Sequence, residues 1–242
     1  MLVPGQANSF DELHADFQCV EAAAGLQRYT MFLHPKEDLT VLDLSVEFAC
    51  APPARFFANG YQSWSESRSL PPGAEIPRLR GIARSLMGFS GDEHIPGIPR
   101  GKGYLHSWTY TQLEFAAGGL AFLGSLNEHT GFTLFIHQQS ENRLTVRKDI
   151  AGLRLAHSFP ALDFVVGQGG VGPWFETLEL PPVKPSRLLG WTSWYRYFTN
   201  ISEEIILENA KSVAESGLPF QYLQIDDGWQ QVIQGQYRAG WE

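Results

Sequence analysis

Leu188-Leu-Gly-Trp-Thr-Ser-Trp194 and Phe220-Gln-Tyr-Leu-Gln-Ile-Asp-Asp-Gly-Trp229, with one amphipathic stretch between them, decide how the C-terminal part of this chain folds. The first is a short, nearly continuous apolar run, as expected of a strand buried on both faces. Asn200-Ile-Ser-Glu-Glu-Ile then opens a helix, with Asn200 or Ser202 as its cap and two acids meeting the positive end of the helix dipole. Ile206, Ala210, Val213 and Ala214 form a single apolar stripe, and Gly217 and Pro219 stop the helix near Ser216. The second apolar run is another strand, closed by Asp226-Asp227-Gly228. Strand, helix and strand in this order predict a βαβ unit with parallel strands.

Upstream, the prolines of Leu180-Pro-Pro-Val-Lys-Pro-Ser186 cannot continue a ladder and favour a stiff, extended connection. They divide the chain into a domain over residues 1–185 and a second over 186–242. From about Gln18 to Val183 the pattern is short β-like runs broken by turn residues. Leu39–Phe48 alternates, and the side carrying Leu42, Leu44, Val46 and Phe48 is expected to face a core. Further runs lie at Tyr104–Phe115, Leu120–Leu126, Phe132–Gln138, Arg143–Lys148, Gly152–Ala156 and Ala161–Val166, with no long helical pattern between them. This grammar predicts an antiparallel sandwich.

The exception is Ala51–Gly103, an irregular stretch rich in proline and glycine, of a length rare in compact domains unless it is functional. Within Asn59-Gly-Tyr-Gln-Ser-Trp-Ser-Glu66, Tyr61 and Trp64 either plug the loop onto the sheet beneath or form a platform for a sugar ring. Gly167-Gln-Gly-Gly170 has no helical pattern after it and reads as a turn, not a phosphate cradle.

Rings are abundant: 16 Phe, 8 Tyr and 7 Trp in 242 residues, a composition suited to a β core and to carbohydrate platforms and unlike that of a disordered chain. A formal net charge of −8 and no basic run argue against nucleic acid as a partner. The N-terminus lacks a basic segment followed by an apolar core, and no run of about 20 apolar residues occurs. No secretory signal or membrane association is therefore expected, and a soluble, cytoplasmic protein is the default. Cys19 and Cys50 lack metal or redox spacing and read as reduced core thiols in preference to a bridge. Trp108 and Trp174 read as packing residues. None of the seven histidines sits in a nucleophile motif, so each reads as a surface or satisfied core residue.

In parallel βα architectures the carboxyl ends of the strands form the active face. Trp191–Tyr195 and Asp226–Trp229 lie at such ends and are expected to share one cleft. A carboxylate pair invites a glycosidase reading, with the two groups about 5–5.5 Å apart in retaining enzymes and about 6.5–9.5 Å apart in inverting ones. Neighbours on a strand point to opposite faces, however, so Asp226 and Asp227 are poorly placed to bracket one bond. A binding role fits better: two carboxylates accept hydrogen bonds from adjacent sugar hydroxyls while Trp194 packs on an apolar C–H face. The competing reading is that Asp226-Asp227-Gly228 caps the next turn through its own side-chain oxygens. No further ligand lies at metal spacing nearby, and neither metal nor cofactor is expected.

Gly190-Trp-Thr-Ser-Trp194, Tyr197-Phe198, Ile201-Ser-Glu-Glu204 and Gln224-Ile-Asp-Asp-Gly-Trp-Gln230 together resemble the opening of the catalytic barrel in the α-galactosidases of glycoside hydrolase family 36, in the melibiase clan. The resemblance is strong over residues 187–242 and architectural before that. It implies a mainly β chain: an antiparallel β-supersandwich followed by the first βαβ unit of an incomplete (β/α)8 TIM barrel. It also implies that Asp226 and Asp227 bind hydroxyls of a terminal galactose and that Trp194 lines the same subsite. Thr192 departs from the pattern, because many members carry Asn there.

The family's aspartate nucleophile and aspartate acid/base follow barrel strands four and six and have no counterpart in this sequence. A closed barrel needs about 250 residues, so the chain is expected to be an N-terminal portion with no catalytic residue of its own. A lone βαβ unit leaves edges uncovered and should pack on the sandwich, pair with a second copy as a homo-oligomer, or be poorly ordered. The expectation is thus the N-terminal portion of a retaining α-galactosidase acting on raffinose- or melibiose-type galactosides, inactive alone, with a galactose-containing oligosaccharide as its partner. The alternatives are a non-catalytic β-sandwich module for carbohydrate binding or assembly and, among enzymes, an α-N-acetylgalactosaminidase or a galactosyl-transferring synthase.

Overall fold

Alternation of polar and apolar residues on either side of Gly25 builds the first long hairpin of the computed structural model, which describes residues 7–9, 12–23, 25–61, 65–76, 92, 95, 97–181, 183–184, 186–230, 232–233 and 236–237. Strand β1 (Ala7–Ser9) pairs with β2 (Leu13–Ala23), and β2 pairs antiparallel with β3 (Leu26–Pro35). Gly25 sits at φ +75°, a left-handed conformation that glycine adopts without the Cβ penalty other residues meet. Ala15 and Phe17 face inward with their partners Leu33 and Met31, while Asp16 and Gln18 point outward. Regular structure therefore begins earlier than the apolar runs suggested.

The chain continues through β4 (Leu39–Thr40), β5 (Leu44–Ala49), β6 (Arg55–Ala58) and β7 (Arg68–Leu70). After these come β8 (Tyr104–Trp108), β9 (Tyr110–Glu114), β10 (Leu120–Ser125), β11 (Thr133–Gln138), β12 (Arg143–Lys148), β13 (Arg154–Leu155) and β14 (Phe159–Gln168). Among the described residues they form an eight-stranded sheet in the order β1-β2-β3-β14-β10-β9-β6-β7 and a four-stranded sheet in the order β5-β12-β11-β8. Strands β4 and β13 pair separately. All these pairings are antiparallel.

One apolar core lies between the two sheets, and Phe17, Phe56, Phe135 and Phe164 are fully buried in it. Full burial of such a ring contributes about 1.5–3 kcal/mol, whereas an exposed ion pair such as Arg154–Asp38 contributes about 0–1 kcal/mol. Packing, not surface charge, holds the sandwich. The irregular stretch 51–103 supplies β6 and β7 to the larger sheet, so part of it is structural.

Two expected strands are broken. Leu39–Phe48 divides because Val41 is captured by the turn opposite: its N–H donates to Leu153 O at 2.9 Å and its carbonyl accepts from Gly152 N at 2.7 Å. Val41 is buried as a result, and Leu42, expected in the core, is 84% exposed. Leu44, Val46 and Phe48 keep the inward side. Tyr104–Phe115 divides at Thr109, which has φ +66° and carries the chain from the smaller sheet to the larger. Its N–H donates to Thr133 O in β11 at 2.9 Å and its carbonyl accepts from Ser125 N in β10 at 2.8 Å.

A short helix, α1 (Gly172–Thr177), does follow Gly167–Gly170, contrary to the sequence reading, and Gly167 and Gln168 belong to β14 and not to a turn. Proline in its first turn pre-sets the helical φ. Trp174 is buried, its indole N–H donates to Ser125 O at 2.8 Å, and a Cβ on Gly124 would lie 2.6 Å from its ring. Trp108 is buried as well, whereas Cys19 and Cys50 are free thiols only half-buried, nearer the surface than expected.

Residues Met1–Leu180 form one compact unit and Pro181–Glu242 a second. In the second, β15 (Gly190–Thr192) pairs in parallel with β16 (Tyr222–Gln224), as a βαβ unit requires. Between them lie α2 (Trp194–Tyr197) and α3 (Glu203–Glu215), and β17 (Val232–Ile233) pairs antiparallel with β18 (Gln236–Tyr237). Ser202 caps α3, its hydroxyl accepting from Ile205 N at 3.4 Å. The strand β15 is shorter and more exposed than its sequence suggests, with Leu188 and Leu189 63% and 44% exposed just before it. A two-stranded sheet has too little area to bury both faces of its strands. Among the described residues no helix is long and apolar enough to cross a membrane.

Candidate functional site

The two aromatic and acidic strand endings meet through one buried serine. Parallel pairing sets Gly190 beside Tyr222, Trp191 beside Leu223 and Thr192 beside Gln224. Ser193, next in line, donates its N–H to Gln224 O at 3.1 Å, and its hydroxyl oxygen accepts from Asp226 N at 3.0 Å. The registration requires a small residue at 190, because a Cβ there would come 2.3 Å from the Tyr222 ring.

Asp226 and Asp227 follow β16 on a turn. Asp226 accepts from Gln224 Nε2 at 3.0 Å on one oxygen and from Asp227 N at 2.9 Å on the other. Asp227 accepts from Gln230 Nε2 at 3.2 Å, and Gln230 Oε1 in turn accepts from Gly228 N at 3.0 Å. The turn-capping role weighed from the sequence is therefore present. It does not exhaust the carboxylates: each offers about four lone-pair sites, so acceptor capacity remains on both. Asp227 is exposed and Asp226 half-buried.

Gly228 brings the turn against the segment before α3. It has φ +110°, and a Cβ would lie 2.5 Å from Thr199 O and 2.8 Å from Thr199 Cα, both backbone atoms that cannot swing aside. Trp194 opens α2, half-buried, with its ring edge-on to Phe198 at 5.2 Å. Tyr197 packs near Trp191 at 6.4 Å and its hydroxyl accepts from Asn209 Nδ2 of α3 at 2.9 Å. The site is thus a polar turn bordered by rings, with both strand ends and α2 held together at Ser193.

The family model described as "Raffinose synthase or seed imbibition protein Sip1" matches residues 178–239, which include all of these elements up to β18. The α-galactosidase mel1 of Schizosaccharomyces pombe is 46% identical over 44 residues, 17% of this chain and 10% of that protein. The similarity in sequence to raffinose synthases and α-galactosidases thus lies in the second unit and the few residues before it. The fold agrees: the structure of TtGalA, an α-galactosidase from Thermus thermophilus in complex with stachyose, matches over 94% of this chain and 44% of that one, with TM-score 0.57 and 22% identity. Its complex with p-nitrophenyl α-D-galactopyranoside matches over 94% of this chain and 42% of that chain, with TM-score 0.57 and 21% identity. This chain spans less than half the length of these solved chains.

The first unit holds a second polar constellation, unforeseen from sequence. Asp92 is buried and accepts from Tyr61 N at 3.0 Å, Ser65 Oγ at 2.6 Å and Trp108 Nε1 at 2.9 Å, with His106 Nε2 at 3.1 Å. Burial pushes its carboxyl up, but the hydrogen bonds from His106, Ser65 and the Tyr61 N–H outweigh that and leave its pKa below the usual carboxylate value. The arrangement pins Tyr61 and Ser65 to β8. Tyr61 packs 4.9 Å from both Trp108 and Phe132 while staying 43% exposed, so it both plugs the loop and presents a face. Trp64 and His94 lie outside the described residues. His106 is a satisfied core histidine, but His137 corrects the expectation for that class: it is buried and neither ring nitrogen has a hydrogen-bond partner among the described residues.

Proposed function

We infer that this chain carries part of the galactose-binding subsite of a retaining glycosidase acting on α-galactosides, and that Asp226, Asp227 and Trp194 are its ligands. The observation that carries the reading is the turn at Asp226-Asp227-Gly228, which sets two carboxylates with spare acceptor capacity at the carboxyl end of a parallel strand. A pyranose offers adjacent hydroxyls as donors and an apolar C–H face, and carboxylates beside a tryptophan ring complement both. The molecules bound in the two solved complexes, stachyose and a nitrophenyl α-galactoside, contain such a sugar.

In this reading the βαβ unit opens a (β/α)8 barrel and the sandwich precedes it. The intact enzyme forms and then resolves a glycosyl-enzyme intermediate through an acid/base and a nucleophile on opposite sides of the scissile bond. Asp226 and Asp227 do not serve as that pair, since they are neighbours on one turn and each is tied to a glutamine of the same segment, Gln224 or Gln230. Purified alone, the chain should bind D-galactose in preference to D-glucose and should not turn over a nitrophenyl α-galactoside. Equal affinity for the two sugars, or measurable turnover, contradicts the reading.

A second reading is favoured by the raffinose synthase description of the matching family. There the same subsite holds galactose while a sugar hydroxyl, instead of water, resolves the intermediate. Product analysis of the whole protein with raffinose or sucrose as acceptor separates transfer from hydrolysis.

A further inference from the structure

Ser193 is the residue on which the second unit converges. Among that unit's described residues it alone is buried, with 0% of its surface exposed, although serine is ordinarily a surface residue. Its N–H, carbonyl and hydroxyl each bond to a different element. Its N–H donates to Gln224 O at the end of β16, its carbonyl accepts from Tyr197 N at 3.0 Å in α2, and its hydroxyl oxygen accepts from the N–H of Asp226. An alanine would keep the first two bonds and lose only the third.

The consequence falls on the carboxylates. Asp226 N–H is the first donor of the turn, and Asp226 Oδ1 then accepts from Asp227 N, so the orientation of each carboxylate depends on the bond before it. Gly228 fixes the far end of the turn against Thr199, and Ser193 fixes the near end. Held at both ends, the turn presents its two carboxylates in one orientation before any ligand arrives, which spares binding the cost of ordering them.

We propose that Ser193 is a positioning residue that sets the geometry of the Asp226 and Asp227 carboxylates for a sugar, acting through the Asp226 backbone N–H without touching the ligand. The proposal deepens the galactose-subsite reading and rests on it. Thr192 and Trp194 do not replace it: the Thr192 hydroxyl is buried with no partner among the described residues, and Trp194 packs on Phe198.

The test uses the full chain and reads two quantities, hydrogen exchange at the Asp226 amide by NMR and D-galactose affinity by titration. In Ser193→Ala the Asp226 amide should exchange about tenfold faster, while amides within α3 keep their rates. Galactose affinity should weaken by about three- to tenfold, the effect of losing one neutral hydrogen bond, and Ser193→Cys, which retains a weak acceptor of similar shape, should fall between. Unchanged protection of Asp226 overturns the proposal, and so does faster exchange with wild-type affinity. If Ser193→Ala also loosens α3, Ser193→Cys carries the comparison under the same two criteria. Absence of galactose binding in the unsubstituted chain instead overturns the subsite reading, and the exchange rates still decide whether Ser193 holds the turn.

Discussion

Replacing His137 by phenylalanine should stabilise the first unit and flatten its response to acid. His137 lies on β11 between Leu105 and Leu144, on the side that carries Phe135 into the core, and it is 4% exposed. Its ring stacks on Phe56 at 5.8 Å and 15°, a contact that a phenyl ring reproduces. Neither nitrogen has a hydrogen-bond partner among the described residues, and an unsatisfied buried polar group costs about 1–3 kcal/mol. Phenylalanine is slightly larger, and the strain of fitting it offsets part of the gain.

A net gain of about 1–2 kcal/mol corresponds to a rise in Tm of about 2–8 °C for a domain of this size. Burial also holds the His137 imidazole below its ordinary pKa of 6.5. Between the folded value and 6.5 the unfolded chain binds a proton that the native chain does not, so stability falls as pH drops through that window. The phenylalanine variant lacks this component. Thermal unfolding of both proteins followed by circular dichroism from pH 8 to pH 5 checks the argument. Equal Tm at pH 8 together with parallel losses on acidification would refute it.

Gly228→Ala should cost about 1–2 kcal/mol for the left-handed backbone alone, with a further penalty from the contact with Thr199; galactose affinity should fall sharply while the melting of the first unit is unchanged, and a variant that binds normally contradicts the pinned turn. Thr192→Val removes a buried hydroxyl without a partner among the described residues, so stability should stay level or rise by up to about 1 kcal/mol; a loss larger than that, in chemical denaturation, shows that the hydroxyl has a role.

The parallel βαβ unit was legible because its signals are local: Ser202 at the cap, acids in the first turn, Gly217 after the helix and two apolar runs. The antiparallel character of the first unit was legible for the same reason. Strand ends were not, since Leu42 turns outward only because Val41 bonds to Gly152 and Leu153, more than a hundred residues along the chain. The switch between sheets at Thr109 likewise depends on Thr133 and Ser125 and leaves no trace in alternation. Asp92 sits in a stretch of irregular pattern, and its partners His106 and Trp108 read as ordinary strand residues. Ser193 was hidden differently: a small residue between two tryptophans carries no periodic signal, and its importance appears only when β16 is laid beside β15.

Sugar recognition by this chain rests on the carboxylates after β16 binding galactose. Titration of the chain with D-galactose, comparing Asp226→Ala with Trp64→Ala, tests that most directly. Asp226→Ala should abolish binding and Trp64→Ala should leave it intact; loss of binding in Trp64→Ala with wild-type affinity in Asp226→Ala would contradict this and assign sugar recognition to the first unit.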